Sequence, residues 1–128
     1  MAGEFKIDYV VLPNGRTSAQ EFIDSLDELA AARVYAFIER LRMYGTRMHG
    51  KFVKKLTKDI MELRVKHYDR IFRMLYFYQP GMLIVITSGF QKKTERTPPA
   101  EIARAEELRR LWLKYRNKYS ESKGKRLV

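Results

Sequence analysis

The stretch IMELRVKHYDRIFRMLYFYQPGMLIVITSGF, residues 60–90, determines most of the predicted fold. It is rich in β-branched and aromatic residues and is divided by turn residues, so it predicts three consecutive strands, at 60–66, 70–78 and 82–90. Because side chains alternate across a strand, one face of this meander is expected to be polar and basic. In the first of the three strands that face carries Glu62, Arg64 and Lys66.

The segments before the meander predict one more strand, two helices and a loop. Residues 5–12 alternate in polarity and end at Pro13-Asn14-Gly15, which predicts a first strand and a turn. From Ser18, which forms a capping-box pattern with Glu21, apolar residues recur at helical spacing as far as Gly45. A single helix of that length is long for a small domain and Asp27 can cap a second one, so we expect two helices parted near 26–28. Residues 46–59 then read as a basic loop.

After the meander, residues 91–96 are polar, and Thr97 can cap a last helix that has Pro98 at its first position. The pattern predicts one domain over residues 1–119, followed by a basic and flexible tail at 120–128. The expected class is α+β, with a four-stranded, mainly antiparallel sheet. Two N-terminal helices are expected on one face of this sheet, together with a C-terminal helix.

The formal net charge of the 128 residues is +11, from 26 Lys and Arg against 15 Asp and Glu. The excess is segregated, since the charged residues of 17–39 are mostly acidic whereas residues 40–73 are dense in Lys and Arg, which points to a polyanionic partner. The chain has no cysteine and only two histidines, so a metal centre and a metal-dependent reaction are not expected. No apolar run approaches the roughly 20 residues of a membrane span, and we expect a soluble, cytoplasmic protein without a membrane partner.

Five ordered pieces between residues 52 and 105 resemble the phage-derived branch of the HigB-like toxins, within the RelE/HigB superfamily. They are Phe52-Val53-Lys54-Lys55-Leu56, Glu62-Leu63-Arg64-Val65, Arg70-Ile71-Phe72-Arg73-Met74-Leu75-Tyr76, Phe90-Gln91-Lys92-Lys93-Thr94 and Pro98-Pro99-Ala100-Glu101-Ile102-Ala103-Arg104-Ala105. The first strand and the early helices match the family only in pattern.

This resemblance implies a RelE-like fold and a toxin of a type II toxin-antitoxin system that cuts messenger RNA in the A site of the ribosome, beside the 16S rRNA. It also implies a helix-turn-helix antitoxin as partner, no cofactor, and no direct contact with DNA except through the antitoxin complex. Cleavage of RNA without a metal needs a base for the 2′-hydroxyl, an acid for the leaving 5′-oxygen and cations on the phosphate.

Arginine is the best phosphate clamp, because its planar group meets two phosphate oxygens. Arg64 and Arg70, on adjacent strands, are expected to lie over one phosphate, and Arg70 matches an arginine that the superfamily places there. Arg73 is expected to face away from Arg70 and is either a site residue or the salt-bridge partner of a carboxylate on a helix face. Lys93 is a further catalytic candidate. The remaining RNA-binding candidates are Lys54, Lys55, Lys66, Lys92 and Thr94.

The acid and the base are open to more than one interpretation, because this chain has Ile60 and Glu62 where the RelE prototype has two lysines. Glu62 is a candidate base, or a salt-bridge partner of its basic neighbours. His49, in the basic loop, can exchange a proton near neutral pH, although a lone loop histidine is more often a bystander. His67 is interpreted as a turn residue beside Tyr68, and Trp112, Tyr115 and Tyr119 as core residues.

A non-catalytic RNA-binding or ribosome-binding module is the alternative function, since it needs the basic residues but no acid or base. A DNA-binding protein is disfavoured, because the basic residues fall on strands and loops rather than on a helix-turn-helix.

Overall fold

A computed structural model describes residues 4–127 of the chain, and the side chains of residues 4–116. Its elements are, in chain order, β1 (Lys6–Tyr9), α1 (Ser18–Asp24), α2 (Glu28–Tyr44), a 3-10 turn (Gly45–Arg47), β2 (Val53–Lys55), β3 (Met61–His67), β4 (Arg70–Gln79), β5 (Leu83–Gln91) and α3 (Pro99–Leu127). The three strands of the predicted meander are therefore present, with bounds shifted by one residue at several ends.

The strands form a single sheet in the order β1-β5-β4-β3-β2. All neighbours are antiparallel except β1 and β5, which are parallel because the chain crosses over through the helices before it returns. The α+β class is thus confirmed, but the expected number of four strands is wrong. The fifth strand, β2, lies inside the predicted loop at 46–59. It has only three residues, two of them exposed lysines, so pairing with β3 rather than a local pattern makes it a strand.

The predicted break between two N-terminal helices is confirmed. Asp27 is the N-cap of α2, and its side chain accepts a hydrogen bond from the Ala30 backbone N–H at 3.2 Å. The predicted capping box in α1 is wrong, because Thr17 is the N-cap and makes no side-chain cap bond. The Glu21 carboxylate is instead held by Arg16, with N–O distances of 2.8 Å.

Hydrophobic cores lie on both faces of the sheet. On one face, α1 and α2 pack against even-numbered residues of β4, such as Phe72 and Met74. Gly45, which ends α2 with φ +50°, belongs to this side, because a Cβ atom there would lie 2.0 Å from the ring of Phe5. On the other face, α3 packs against odd-numbered residues such as Leu75 and Phe77.

The last helix, α3, extends through residue 127 and so includes most of the segment that was expected to be a tail. Trp112 packs edge-on against Phe77 at 5.6 Å, and its indole N–H donates to Asp8 at 3.0 Å, which confirms Trp112 as a core residue. Tyr115 is half-buried, and Tyr119 lies outside the residues whose side chains are described. Within the described residues, no helix has both the length and the apolar character that crossing a membrane requires.

Candidate nucleic-acid interface

Two arginines on neighbouring strands face the α3 side of the sheet. Arg64 on β3 is directly opposite Arg73 on β4, and both point away from α1 and α2, because the adjacent residues Leu63, Val65 and Phe72 face those helices. Two guanidinium groups in register repel each other unless at least one has an anionic partner. Arg73 is buried with an anionic partner, whereas Arg64 is half-buried and lines a pocket.

Arg73 is buried in a network with Glu62 and Thr97, whose exposed fractions are 1%, 1% and 4%. Its Nη1 donates to Glu62 Oε1 at 3.3 Å and to Thr97 Oγ1 at 2.7 Å, and the Thr97 hydroxyl donates to the same carboxylate oxygen at 2.5 Å. Its Nη2 donates to the backbone oxygen of Glu95 at 3.0 Å. The network therefore ties the segment 92–98 to the middle of the sheet.

This network answers three of the predictions made from the sequence. Arg73 is the partner of a carboxylate, as one alternative expected, but that carboxylate is Glu62 on the neighbouring strand and not a residue on a helix face. Glu62 is a salt-bridge partner, which is the second of its two interpretations, but its partner is Arg73 on β4 and not Arg64 or Lys66 of its own strand. Thr97 was expected to cap the last helix, but α3 begins at Pro99 and the Thr97 hydroxyl is bonded to Glu62 and Arg73 instead.

Arg64 is half-buried, and within the described part of the chain its guanidinium has no hydrogen-bonding or ion-pair partner. It lines a small pocket together with Glu62, Lys54 and the segment 50–53. Lys54 pairs with Glu62 across β2 and β3 and therefore lies on the same face as Arg64. Lys66 lies two residues beyond Arg64 and is exposed on that face. A strong cation between two exposed lysines is suited to binding a phosphate.

The polar segment after β5 brings further basic side chains to the end of the sheet. Lys92 donates its backbone N–H to Ile71 at 2.7 Å, and its side chain is 3.4 Å from the exposed Glu95 carboxylate. Lys93 and Thr94 are exposed, and both line a cavity with Lys92, Asp69 and Ile71. The Thr94 hydroxyl donates to the backbone oxygen of Arg96. Ile71 is the register partner of Lys66, so this segment lies at the Lys66 end of β3 and β4.

Arg70 lies on the opposite face of the sheet from Arg64. Its Nη2 donates to Asp27 at 2.8 Å, and its guanidinium lies 5.2 Å from the ring centre of Phe72, a residue of the α1–α2 core. The prediction that Arg64 and Arg70 lie over one phosphate is therefore wrong. The physical reason is the alternation of β4, whose even-numbered residues all face the helices. Arg70 neutralises Asp27, and the pKa of that carboxyl is lowered by the hydrogen bond from Arg70 and by the bond from the Ala30 N–H.

The two histidines lie in different surroundings. His49 is exposed immediately before the segment that lines the Arg64 pocket, and its Nδ1 accepts the backbone N–H of Lys51 at 3.1 Å. The neutral imidazole therefore carries its proton on Nε2. His67 is at an odd position of β3 and points to the side of α2, next to Tyr68. Lys55 is the register partner of Met61, which contacts the α1–α2 core, so Lys55 faces away from Arg64.

Sequence reasoning missed Thr97 as a member of the buried network. A threonine before two prolines looks like a helix cap, and nothing in the local pattern shows that a carboxylate 35 residues earlier is its partner.

Comparison with known proteins places these features in a family. The model of the family described as phage-derived protein Gp49-like matches residues 21–110. The probable endoribonuclease HigB1 of two Mycobacterium tuberculosis strains, CDC 1551 / Oshkosh and ATCC 25618 / H37Rv, is 28% identical over 99 residues, which are 77% of this chain and 77% of the relative. The crystal structure of the archaeal RelE-RelB complex from Pyrococcus horikoshii matches with a TM-score of 0.48 and 21% identity, over 73% of this chain and 99% of that one.

The family model covers the helices, the basic strands and the first part of α3. The predicted resemblance to the RelE/HigB superfamily is confirmed, and the chain belongs to the phage-derived Gp49-like family.

Proposed function

We propose that this protein is the toxin of a type II toxin-antitoxin system, that it cuts messenger RNA on the ribosome, and that an antitoxin protein neutralises it. The observation that carries the proposal is the guanidinium of Arg64, which has no partner among the described residues and lies beside a pocket, between Lys54 and Lys66. The similarity to a probable endoribonuclease and the net charge of +11 agree with it.

In the proposed reaction the ribose 2′-oxygen attacks the adjacent phosphorus and the 5′-oxygen leaves. The products are a 2′,3′-cyclic phosphate and a 5′-hydroxyl. Arg64 holds the non-bridging oxygens, where negative charge grows as the phosphorus becomes five-coordinate, and its bonds strengthen in the transition state. The buried network keeps Arg73 from competing for the phosphate and holds the segment with Lys92 and Lys93 over the end of the sheet.

His49 is the candidate for proton transfer, since Glu62 is engaged by Arg73 and Thr97. With Nδ1 accepting the Lys51 N–H, Nε2 carries the proton, so in this arrangement the imidazole offers a hydrogen-bond donor to the leaving 5′-oxygen. To take the 2′-hydroxyl proton at Nε2, His49 must release the Lys51 N–H and carry its own proton on Nδ1. The alternative of a non-catalytic RNA-binding module is favoured by the burial of Glu62. With this strand carboxylate engaged by Arg73 and Thr97, the chain has few groups left to transfer a proton.

The test is single-turnover cleavage of a messenger on programmed ribosomes, measured for the wild type, Arg64→Ala, His49→Ala and Arg110→Ala. We expect Arg64→Ala to slow cleavage by about 10²- to 10³-fold, as for other groups that stabilise a developing oxyanion. Arg110 is exposed on α3 and pairs only with Glu107 among the described residues, so its variant is the matched loss of one positive charge and is expected to cleave like the wild type.

Expression of the wild type without its antitoxin is expected to arrest translation and growth, and Arg64→Ala is expected to relieve the arrest. Ribosomes that are bound but never cleaved by the wild type would establish the binding module instead. Equal losses in Arg64→Ala and Arg110→Ala would show that net charge, and not the Arg64 pocket, carries the activity.

A further inference from the structure

The turn between β3 and β4 carries an aromatic residue in an unusual conformation. His67 and Arg70 are the last paired residues of the hairpin, so the turn consists of Tyr68 and Asp69. Tyr68 has φ +56°, and 81% of its surface is exposed. Two-residue turns with positive φ favour Gly, Asn and Asp, and a bulky side chain there is strained. The strain is not compensated by burial of the Tyr68 ring. This indicates that the ring contacts another molecule rather than the core of this chain.

Tyr68 forms one wall of a surface cavity of about 480 Å³ between the hairpin and α2. The His67 ring meets the Tyr68 ring edge-on at 4.7 Å and also lies against Phe72, so the aromatic wall is supported from behind. The α2 side of the cavity includes Leu29, which is 70% exposed. A flat apolar ring inserted between Tyr68 and Leu29 would cover both exposed side chains.

The charged groups at this cavity are positive. Arg33 and Lys66 line it, and of the described residues that line it none is acidic. Asp69, the neighbour of Tyr68, lines the separate cavity with Lys92 and Lys93. Asp27 lies close to the end of α2 but is neutralised by Arg70. An aromatic wall with two cations at its edge is a combination suited to a nucleotide, in which the base stacks and the phosphate meets the cations.

The position of the cavity connects it to the Arg64 pocket. Among the described residues, β2 pairs with β3 only from Met61 to Leu63, and the Arg64 N–H donates to the Phe52 backbone oxygen at 2.7 Å, so the outer edge of β3 is open from Val65 towards Tyr68. An added peptide strand is disfavoured on this edge, because the Arg33 Nε–H already donates to the Lys66 backbone oxygen at 3.1 Å. The four residue-to-residue steps from Arg64 to Tyr68 span about 13 Å at roughly 3.3 Å per step. Arg64 faces the α3 side of the sheet and the cavity lies on the α2 side, so an extended RNA strand that reaches both crosses this edge of β3.

We propose that the messenger RNA places one phosphate at Arg64 and inserts one unpaired base of the same strand into the cavity between Tyr68 and Leu29. Tyr68 stacks on the base, and Lys66 meets the phosphate between the two positions. This inference rests on the proposed function for the identity of the RNA, but it concerns a second contact that takes no part in the bond cleavage.

The test uses a short single-stranded RNA that carries one 2-aminopurine and is 2′-O-methylated, so that it cannot be cut. Stacking on tyrosine quenches 2-aminopurine, and moving the label along the strand locates the base that stacks. We expect Tyr68→Gly to abolish the quenching and to weaken RNA binding about tenfold or more, and Tyr68→Phe to preserve both.

The matched control is Met82→Gly, because Met82 is also a non-glycine residue with positive φ, at +57°, but lies in the turn at the other end of β4. Glycine relieves the strain at either site, so neither variant is expected to lower Tm by this effect, and Met82→Gly is expected to keep the quenching. A loss of quenching in Tyr68→Gly with an unchanged Tm therefore reports on the contact and not on the fold.

Quenching that is the same in Tyr68→Gly and in the wild type would overturn the inference. The inference would also be overturned if Tyr68→Gly weakened only the binding to vacant ribosomes or to the copurified antitoxin. The cavity would then bind ribosomal RNA or a protein. Failure of the proposed function gives a different result. If the wild type quenches the probe but does not cut messenger RNA, the base-binding site is supported and the endonuclease activity is contradicted.

Discussion

The buried Arg73–Glu62–Thr97 network shows how single side chains control the geometry of this site. A buried ion pair is costly unless most of its remaining donors and acceptors are hydrogen-bonded. Both terminal nitrogens of Arg73 have such partners. Its Nε is buried without a hydrogen-bond partner among the described residues. The Thr97 hydroxyl is therefore important, because it accepts from Arg73 and donates to Glu62 at once.

Thr97→Val keeps the shape of the side chain but removes this hydroxyl. We expect the free energy of unfolding to fall by about 1–3 kcal/mol, because a buried charge pair loses a shared partner. Chemical denaturation of the variant and of Thr46→Val, an exposed threonine after α2, measures the difference. An equal and small effect in both variants would show that the network does not depend on the hydroxyl.

At the scale of helices and hairpins, Asp27 joins two parts of the fold. It caps α2 through the Ala30 N–H and holds the β3–β4 hairpin through Arg70, so the positions of the helix and of the Tyr68 turn are linked. The alternation of β4 directs Arg70 to the α1–α2 face of the sheet, and the contact with Asp27 then holds its guanidinium there. Substitution of Arg70 is expected to act mainly through the seating of the hairpin.

The hydrogen bonds that lower the pKa of Asp27 make this link sensitive to acid. A carboxyl with a lowered folded-state pKa contributes stability that is present above its unfolded pKa of about 3.9 and is lost as the pH falls through the folded value. Asp27→Asn retains a good N-cap but removes the charge. We therefore expect the variant to be less stable than the wild type at neutral pH, and the difference in Tm to shrink below about pH 4.

The control repeats the comparison of Asp27 with Asp27→Asn in proteins that also carry Arg70→Gln, because neither of these can form the Asp27–Arg70 ion pair. The dependence on pH should be much weaker there. A Tm difference that stays constant from neutral to acid pH in the parent background would mean that the Asp27–Arg70 pair does not contribute to stability.

At the scale of the full chain, the charge of +11 is expected to govern RNA affinity. Each phosphate that a protein neutralises on a single strand contributes a slope of about −0.7 to the plot of log affinity against log salt. We expect a steep negative slope for the wild type, and a slope less negative by about 0.7 for Arg64→Ala. Equilibrium binding of an uncleavable RNA over a series of salt concentrations measures both, and a flat wild-type response would contradict a phosphate-binding surface.

Much of this architecture is predictable from the sequence because it depends on contacts close in the chain. The alternation over residues 60–90 predicts the three long strands, and the polar cap at Asp27 predicts the break between the helices. β2 is different, because its three residues form a strand only through hydrogen bonds to β3. The spacing of the family pieces likewise predicts Arg64 and the lysines after β5 as members of the candidate site, and their charge follows from residue type alone.

The sequence determined the class of the fold, the family and the basic character of the surface, since periodicity and composition are local properties. The tertiary structure decided which arginine is free. Arg64, Arg70 and Arg73 are alike in the sequence, yet one is open, one holds the cap of α2 and one is buried with Glu62 and Thr97. The reason is that a guanidinium becomes available to RNA only if no carboxylate folds against it, and carboxylates 43 and 11 residues away along the chain do so for Arg70 and Arg73.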